Sequence, residues 1–133
     1  MNIKPYSHYE EGEILSLYAS VGWTNYCDHP EMLEKAFAHS LCILGAYEED
    51  RLIGLIRAVG DGHSIVFIQD LLVHPDYQRR GIGSALMGEM LRRFSHVYQI
   101  QLTTDNTEKT KAFYRSQGLC TMEELGCCGF MKI

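Results

Sequence analysis

The chain has 133 residues, 46% of them apolar, and 12 Lys and Arg against 17 Asp and Glu give a formal net charge of −5. That length suits one domain, residues 1–133, able to bury roughly two-thirds of its unfolded surface, and the apolar share with only three prolines argues against intrinsic disorder. The acidic balance argues against a general nucleic-acid coat, because binding a polyanion depends on a basic face.

Five cysteines, Cys27, Cys42, Cys120, Cys127 and Cys128, are odd in number and lack CxxC spacing, so they read as reduced cytosolic thiols with no metal bound. Met1 to Glu13 has no continuous apolar core of the kind a signal peptide needs. The longest apolar run, Leu41 to Tyr47, is far shorter than the ~20 residues of a membrane helix. The expectation is a soluble, cytoplasmic domain without a membrane partner.

No Gly-, Pro- or Ser-rich stretch divides the chain, and no repeat is present. A short extended piece, Asn2 to Lys4, is closed by Pro5. Ser7 and Glu10 stand in capping-box spacing ahead of Ile14, Leu15, Leu17 and Tyr18, which predicts a helix to about Val21. After a break at 22–25, Asp28 or His29 caps a second helix with Pro30 in its first turn and Met32, Leu33, Ala36 and Phe37 as its apolar stripe, ending near His39. The apolar runs Leu41 to Tyr47, Leu52 to Val59 and Ile65 to Val73, separated by polar or Gly-containing turns, predict three antiparallel strands in succession.

Past His74 and Pro75 the apolar period becomes helical, with Ile82, Leu86, Met87, Met90 and Phe94 on one stripe. A strand Gln99 to Thr103, a helix Thr107 to Ser116 and a stop at Gly118 follow. Two short runs in the tail, split at 126–129, predict a closing pair of strands. The fold class is therefore α/β (α+β): a mixed, mostly antiparallel sheet flanked by helices in the order β-α-α-β-β-β-α-β-α-β-β.

Between the third predicted strand of the meander and the helix at Ile82 lies Gln78-Arg79-Arg80-Gly81-Ile82-Gly83-Ser84-Ala85. Two glycines let the backbone turn tightly with its N–H groups outward, the helix start adds positive potential, and two arginines reinforce it. Such a place binds phosphate. A Rossmann fingerprint fails because its third glycine position is Leu86 and seven residues separate strand from Gly81, and a Walker A loop fails because no Gly-Lys-Ser/Thr tripeptide exists.

The segment V-x-P-x-Y-Q-R-R-G-I-G-S-A-L-M resembles the acetyl-CoA-binding motif Q/R-x-x-G-x-G/A of GNAT-family N-acetyltransferases, with Gln78, Gly81 and Gly83 matching it. A second segment, Lys111 to Leu119, is similar to the family's A-x-x-F-Y-x-x-x-G-F. The resemblance implies that the CoA pyrophosphate lies on the amides of Arg79, Arg80, Gly81, Ile82, Gly83 and Ser84, with Gln78 and Phe113 also in the cofactor site. The pantetheine arm would run beside Leu71, Leu72 and Val73. It implies Tyr114 as general acid toward the departing thiolate, since a phenol of pKa about 10 is protonated at neutral pH. The family's CoA-contacting asparagine falls at Thr107, with Asn106 one residue earlier.

For the general base, the resemblance points to the central strand, where the candidates are Gln69, Asp70 and His74. Asp70 is an acid within an apolar strand, which tunes it for proton transfer or else binds it to nearby backbone. Trp23, Tyr26 and His63 belong to segments that the family places around the acceptor entrance. The implied activity is transfer of acetyl from acetyl-CoA to a primary amine by direct attack in a ternary complex, with a homodimer as a further expectation. The alternatives are an acyltransferase with another donor or acceptor, a CoA-binding sensor module in which Tyr114 is structural, and a partner-binding scaffold using the C-terminal strands.

Overall fold

A computed structural model describes residues 1–133. Its contacts group the chain into two compact units, residues 1–101 and 102–133. Up to Leu102 the elements are β1 (Asn2–Pro5), α1 (Glu11–Ser20), α2 (Thr24–Cys27), α3 (Pro30–Ala38), β2 (Cys42–Glu48), β3 (Arg51–Gly60), β4 (Ile65–Val73), a 3-10 turn (Pro75–Tyr77), α4 (Ile82–Arg93) and β5 (Gln99–Leu102), all but the last residue of β5 in the first unit. The sheet order is β1-β2-β3-β4-β5 and the first four strands pair antiparallel. The N–H groups of Tyr98 and Gln99 donate to the carbonyls of His63 and Ser64 (3.1 and 3.0 Å), so β5 and β4 begin side by side.

The predicted α/β class and the element order through Ser116 agree with this structure, and the third strand of the meander has the predicted bounds. Three local expectations change. The cap of α1 is Glu10, whose carboxylate accepts from the N–H groups of Gly12 and Glu13 (3.1 and 2.7 Å), in place of Ser7. Residues 22–25, expected as a plain break, lead into the single-turn helix α2. His29 precedes α3 without a side-chain capping bond.

Both faces of the sheet are covered within this unit. On one face α1 and α3 place Ile14, Leu17, Tyr18, Leu33 and Phe37 against Leu52, Leu55 and Leu72, all buried. On the other, α4 buries Ile82, Leu86, Met87 and Met90. Gly54 allows that close approach, since a Cβ there would meet Ile82 and Leu86 at 3.3 Å.

The pairing of β4 with β3 contains one irregularity that shapes everything around it. Ala58 faces Ile68 but Arg57 faces Asp70, so Gln69 is an extra residue on β4, a β-bulge. Because side chains alternate along a strand, this extra residue puts Asp70 and Leu72 on the α1–α3 face.

The second unit holds α5 (Glu108–Ser116), capped by the Thr107 hydroxyl accepting from the Thr110 N–H (3.2 Å), and a 3-10 turn at Glu123–Leu125. The Arg115 guanidinium donates to Glu124 at 2.7 Å. The expected closing pair of strands is absent: beyond the turn, 126–133 has no regular structure and Leu125, Phe130, Met131 and Ile133 are exposed. Gly126 sits at φ +77°, which ends the turn in the left-handed region and breaks the first apolar run before it reaches strand length.

Candidate active site

The loop from Gln78 to Ser84 makes a left-handed turn into a helix start, as its glycines suggest, with one difference in which residues turn the chain. Gly81 turns the chain into α4 at φ +80°, and no side chain caps the helix. The first N–H groups of α4 have no carbonyl within the helix, and the first intrahelical bond beyond them is Ala85 N–H to Gly81 at 3.0 Å. A Cβ at Gly81 would meet nothing within 4 Å, so the space beside the turn at that position is open. Gly83, expected to share the turn, is instead an ordinary helical residue of α4, and the second left-handed position is taken by Arg79 at φ +66°. An arginine held in that region is uncommon and is characteristic of functional loops.

The surroundings add positive charge. The Arg80 guanidinium lies over the Tyr77 ring at 5.1 Å and that of Arg51 at 5.5 Å, with Arg51 also donating to the Tyr77 hydroxyl at 3.4 Å. Arg51 begins β3 and was not singled out from sequence. Gln78 donates from Nε2 to the Val73 carbonyl (2.9 Å), tying the loop to the end of β4. His74 accepts the Asp76 N–H at Nδ1 (3.1 Å) and caps the 3-10 turn.

Eight residues before the start of that loop, Asp70 lies at the centre of a hydrogen-bonded network. It is 2% exposed. Its Oδ2 accepts from Arg57 Nε at 2.7 Å and from the Tyr18 hydroxyl at 2.8 Å, while Oδ1 accepts from the Tyr26 hydroxyl at 3.0 Å. Gln69, on the bulge, donates from Nε2 to the Tyr26 oxygen at 3.3 Å, and Arg57 donates from Nη1 to Ser40 at 3.2 Å. Burial works against the Arg57 charge, yet the adjacent Asp70 carboxylate outweighs it and lifts the guanidinium above its ordinary value. Burial also pushes both phenols up: Tyr18 strongly, with Asp70 adding to the shift, and Tyr26 with Gln69 opposing.

Of the expected acceptor-side residues, the structure brings two together. Tyr18 meets the half-buried Trp23 and Tyr26 edge-on, at ring-centroid distances of 5.9 and 5.1 Å. His63 is elsewhere: it lies in the exposed turn before β4, where Asp61 accepts its N–H at 2.8 Å. Five strand residues separate that turn from Asp70, roughly 16 Å of extended chain.

Arg57 and Tyr18 are the site-building residues that the sequence reading did not single out. Arg57 carried a usable signal, a lone cation inside the apolar run Leu52 to Val59, opposite in sign to the lone acid of the next strand. Tyr18 carried none, because its spacing reads as core.

In the second unit, Tyr114 is half-buried beside Phe113, with ring centroids 4.9 Å apart. Burial raises its pKa, Thr104 opposes the shift by hydrogen bonding and Asp105 adds to it, so the phenol stays protonated at neutral pH. Thr107 is occupied as the cap of α5, and Asn106 is exposed in the preceding loop.

The sequence pattern of the Acetyltransferase (GNAT) family matches residues 8–119. The chain belongs to this family. An acetyltransferase of the GNAT family from Streptococcus pneumoniae TIGR4 is similar to this GNAT chain in structure with a TM-score of 0.90 and 49% identity, over 99% of this chain and 96% of that one. A ycf52-like N-acetyltransferase of Prochlorococcus marinus is 33% identical over 125 residues, 89% of this chain and 67% of its own. The ycf52 N-acetyltransferase of Porphyra purpurea is 28% identical over 111 residues, and the match covers 62% of its length. The chain thus spans about two-thirds of these curated relatives. No helix is long and apolar enough to cross a membrane.

Proposed function

We propose that this GNAT acetyltransferase moves acetyl from acetyl-CoA to a primary amine by direct attack within a ternary complex, with both compact units acting as one catalytic domain in the cytoplasm. The observation that carries the reading is the α4 start: uncapped N–H groups beside an open left-handed turn at Gly81, preceded by Arg79 and Arg80. These groups suit a pyrophosphate, which accepts from backbone N–H groups and gains from the helix dipole. Gln78, Arg79, Arg80, Gly81, Ile82, Gly83 and Ser84 would hold it, with Leu71, Leu72 and Val73 alongside the pantetheine arm.

In the transfer step the amine nitrogen bonds to the acetyl carbon and the carbon–sulfur bond breaks. The acceptor loses one proton and the thiolate gains one. Tyr114 supplies the latter, a role that fits a phenol kept protonated by burial. Acetyl-CoA is the acetyl donor, and the scheme assigns no step to a metal or to nucleic acid. A homodimer is compatible with it.

The test is acetyl-CoA-dependent thiol release across a broad panel of primary amines, with calorimetry of acetyl-CoA binding alongside. Amine-dependent release supports the enzyme. Tight binding without release from any amine makes the chain a CoA-binding module.

A further inference from the structure

We infer that Asp70 is a positioning residue rather than the base of the reaction: with Arg57 it forms a charge-compensated lock that pins helix α2 to the β4 bulge and holds the Tyr26 hydroxyl in one orientation. The inference rests on the acetyl-transfer reading for its functional half and on geometry alone for its structural half.

A general base needs an unoccupied lone pair facing the proton that it takes. The Asp70 carboxylate is 2% exposed, and its two oxygens accept from three side chains on three different elements: Arg57 of β3, Tyr18 of α1 and Tyr26 of α2. The carboxylate is thus turned inward. Its charge is also matched by the guanidinium of Arg57, whose side chain is 5% exposed, so the pair presents no net negative charge to draw an ammonium group.

What the arrangement does present is Tyr26. Its proton is committed to Asp70, which leaves the phenolic oxygen as an acceptor, and Gln69 occupies one of its acceptor directions only at 3.3 Å. The half-buried Tyr26 is the member of the network that reaches solvent from the α1–α2 segment, with Trp23 beside it at a centroid distance of 6.3 Å. Tyr26 is thereby placed to accept a hydrogen bond from the attacking amine, and Asp70 and Arg57 act through it.

The same bonds fasten a helix of four residues to the sheet, beside the packing of Tyr26 on Tyr18 and the bond from the Cys27 thiol to the Leu15 carbonyl (3.5 Å). Helix α2 has no side-chain cap and no buried residue, and isolated helices of that length do not persist in water. Its tie to the sheet runs from the Tyr26 hydroxyl to Asp70 and Gln69.

Hydrogen exchange on the full chain tests the lock without any acceptor. Tyr26→Phe should speed exchange of the Asp28 and His29 amides, which close α2 onto Thr24 and Tyr26, by about tenfold, the factor that one ordinary hydrogen bond represents. The Ile14 and Tyr18 region of α1 should stay slow. Asp70→Asn should act on the same amides. Unchanged exchange there in Tyr26→Phe overturns the lock.

Thiol release with two amine probes tests the positioning. Ethanolamine is an ammonium ion at neutral pH and must lose a proton, whereas hydroxylamine is already unprotonated. Loss of a base slows ethanolamine alone; loss of positioning slows both. Asp70→Asn and Tyr26→Phe should each slow both probes to a similar degree, and the double variant should be little slower than either single one. An Asp70→Asn protein that loses ethanolamine turnover and keeps that with hydroxylamine makes Asp70 the base and overturns the inference. A parent protein that releases thiol with neither probe, nor with any other amine, counts against the acetyl-transfer reading, and the exchange result still decides the lock.

Discussion

Removing either member of the Arg57–Asp70 pair should cost more than removing both, and removing Asp70 alone should cost the most. In Asp70→Leu the Arg57 side chain, 5% exposed, keeps only the Ser40 hydroxyl as a partner, and the fully buried Tyr18 hydroxyl loses its acceptor. An unpaired buried charge costs about 3–5 kcal/mol, and an orphaned buried hydroxyl about 1–3 kcal/mol. The two overlap, because one carboxylate serves both, so a loss of about 5 kcal/mol is expected. Tyr26 adds little, being half-exposed and able to bond water.

Arg57→Met removes the cation but keeps a long apolar side chain against Phe37, over whose ring the guanidinium lies at 5.7 Å. Asp70 then retains two phenol donors, and the loss should be about 3 kcal/mol. With both changes no charge remains buried. The double variant should lose only about 2 kcal/mol, chiefly for the Tyr18 hydroxyl. The coupling is then about 6 kcal/mol, well beyond the ~0.5 kcal/mol scatter of independent sites. Urea unfolding measures it: Asp70→Leu should lower the midpoint by about 2–3 M, and Arg57→Met in that background should raise it again. Additive single costs would refute the reasoning.

Four further outcomes follow. Gly81→Ala should cost the free protein about 1 kcal/mol, because φ +80° disfavours a side chain while space is open; acetyl-CoA affinity by calorimetry should fall at least about tenfold, and unchanged affinity removes Gly81 from the site. Tyr114→Phe should lower kcat by roughly 10²-fold with chemistry rate-limiting, and unchanged kcat returns Tyr114 to a packing role. Burial raises the folded-state pKa of Tyr6, Tyr18, Tyr26 and Tyr114. Their contribution to stability is therefore complete below the unfolded phenol value of about 10 and is lost as pH rises above it through the raised folded values; urea midpoints that stay flat above pH ~10 would contradict this. Cys120→Ala should leave turnover within a few-fold, and mass spectrometry with acetyl-CoA alone should find no stoichiometric acetyl-cysteine; an adduct on Cys120 that amine discharges would replace direct transfer.

Much of the fold is legible because local signals agree with the tertiary outcome. The stripe Ile82, Leu86, Met87 and Met90 is the buried face of α4, and the runs at Leu52 and Ile65 are sheet strands. The tail shows the opposite case. Phe130, Met131 and Ile133 have strand-like composition, yet a strand exists only when an edge pairs with it, and these side chains are exposed in an unpaired segment. The loop at Gln78 was legible in chemistry and less so in backbone: Arg79 takes a left-handed conformation that composition assigns to glycine, and Gly83 is helical.

Asp70 shows why a site can be visible as residues and invisible as an arrangement. Counting back from the β3–β4 turn, Gly60 faces Val66, Val59 faces Phe67 and Ala58 faces Ile68. Continued without interruption, that register sets Arg57 against Gln69 and turns Asp70 to the α4 face, where no cation or phenol of the network waits. The extra residue at Gln69 reverses the alternation and delivers Asp70 to Arg57, Tyr18 and Tyr26. Nothing in the residues around Gln69 marks a bulge. The fit of a buried acid to a buried guanidinium and two phenols makes the shifted register the favourable one, since the regular register would leave both charges buried and unpaired. The acid that the sequence marks as a candidate for chemistry thus also sets, with Arg57, the strand register on which the Tyr26 position depends.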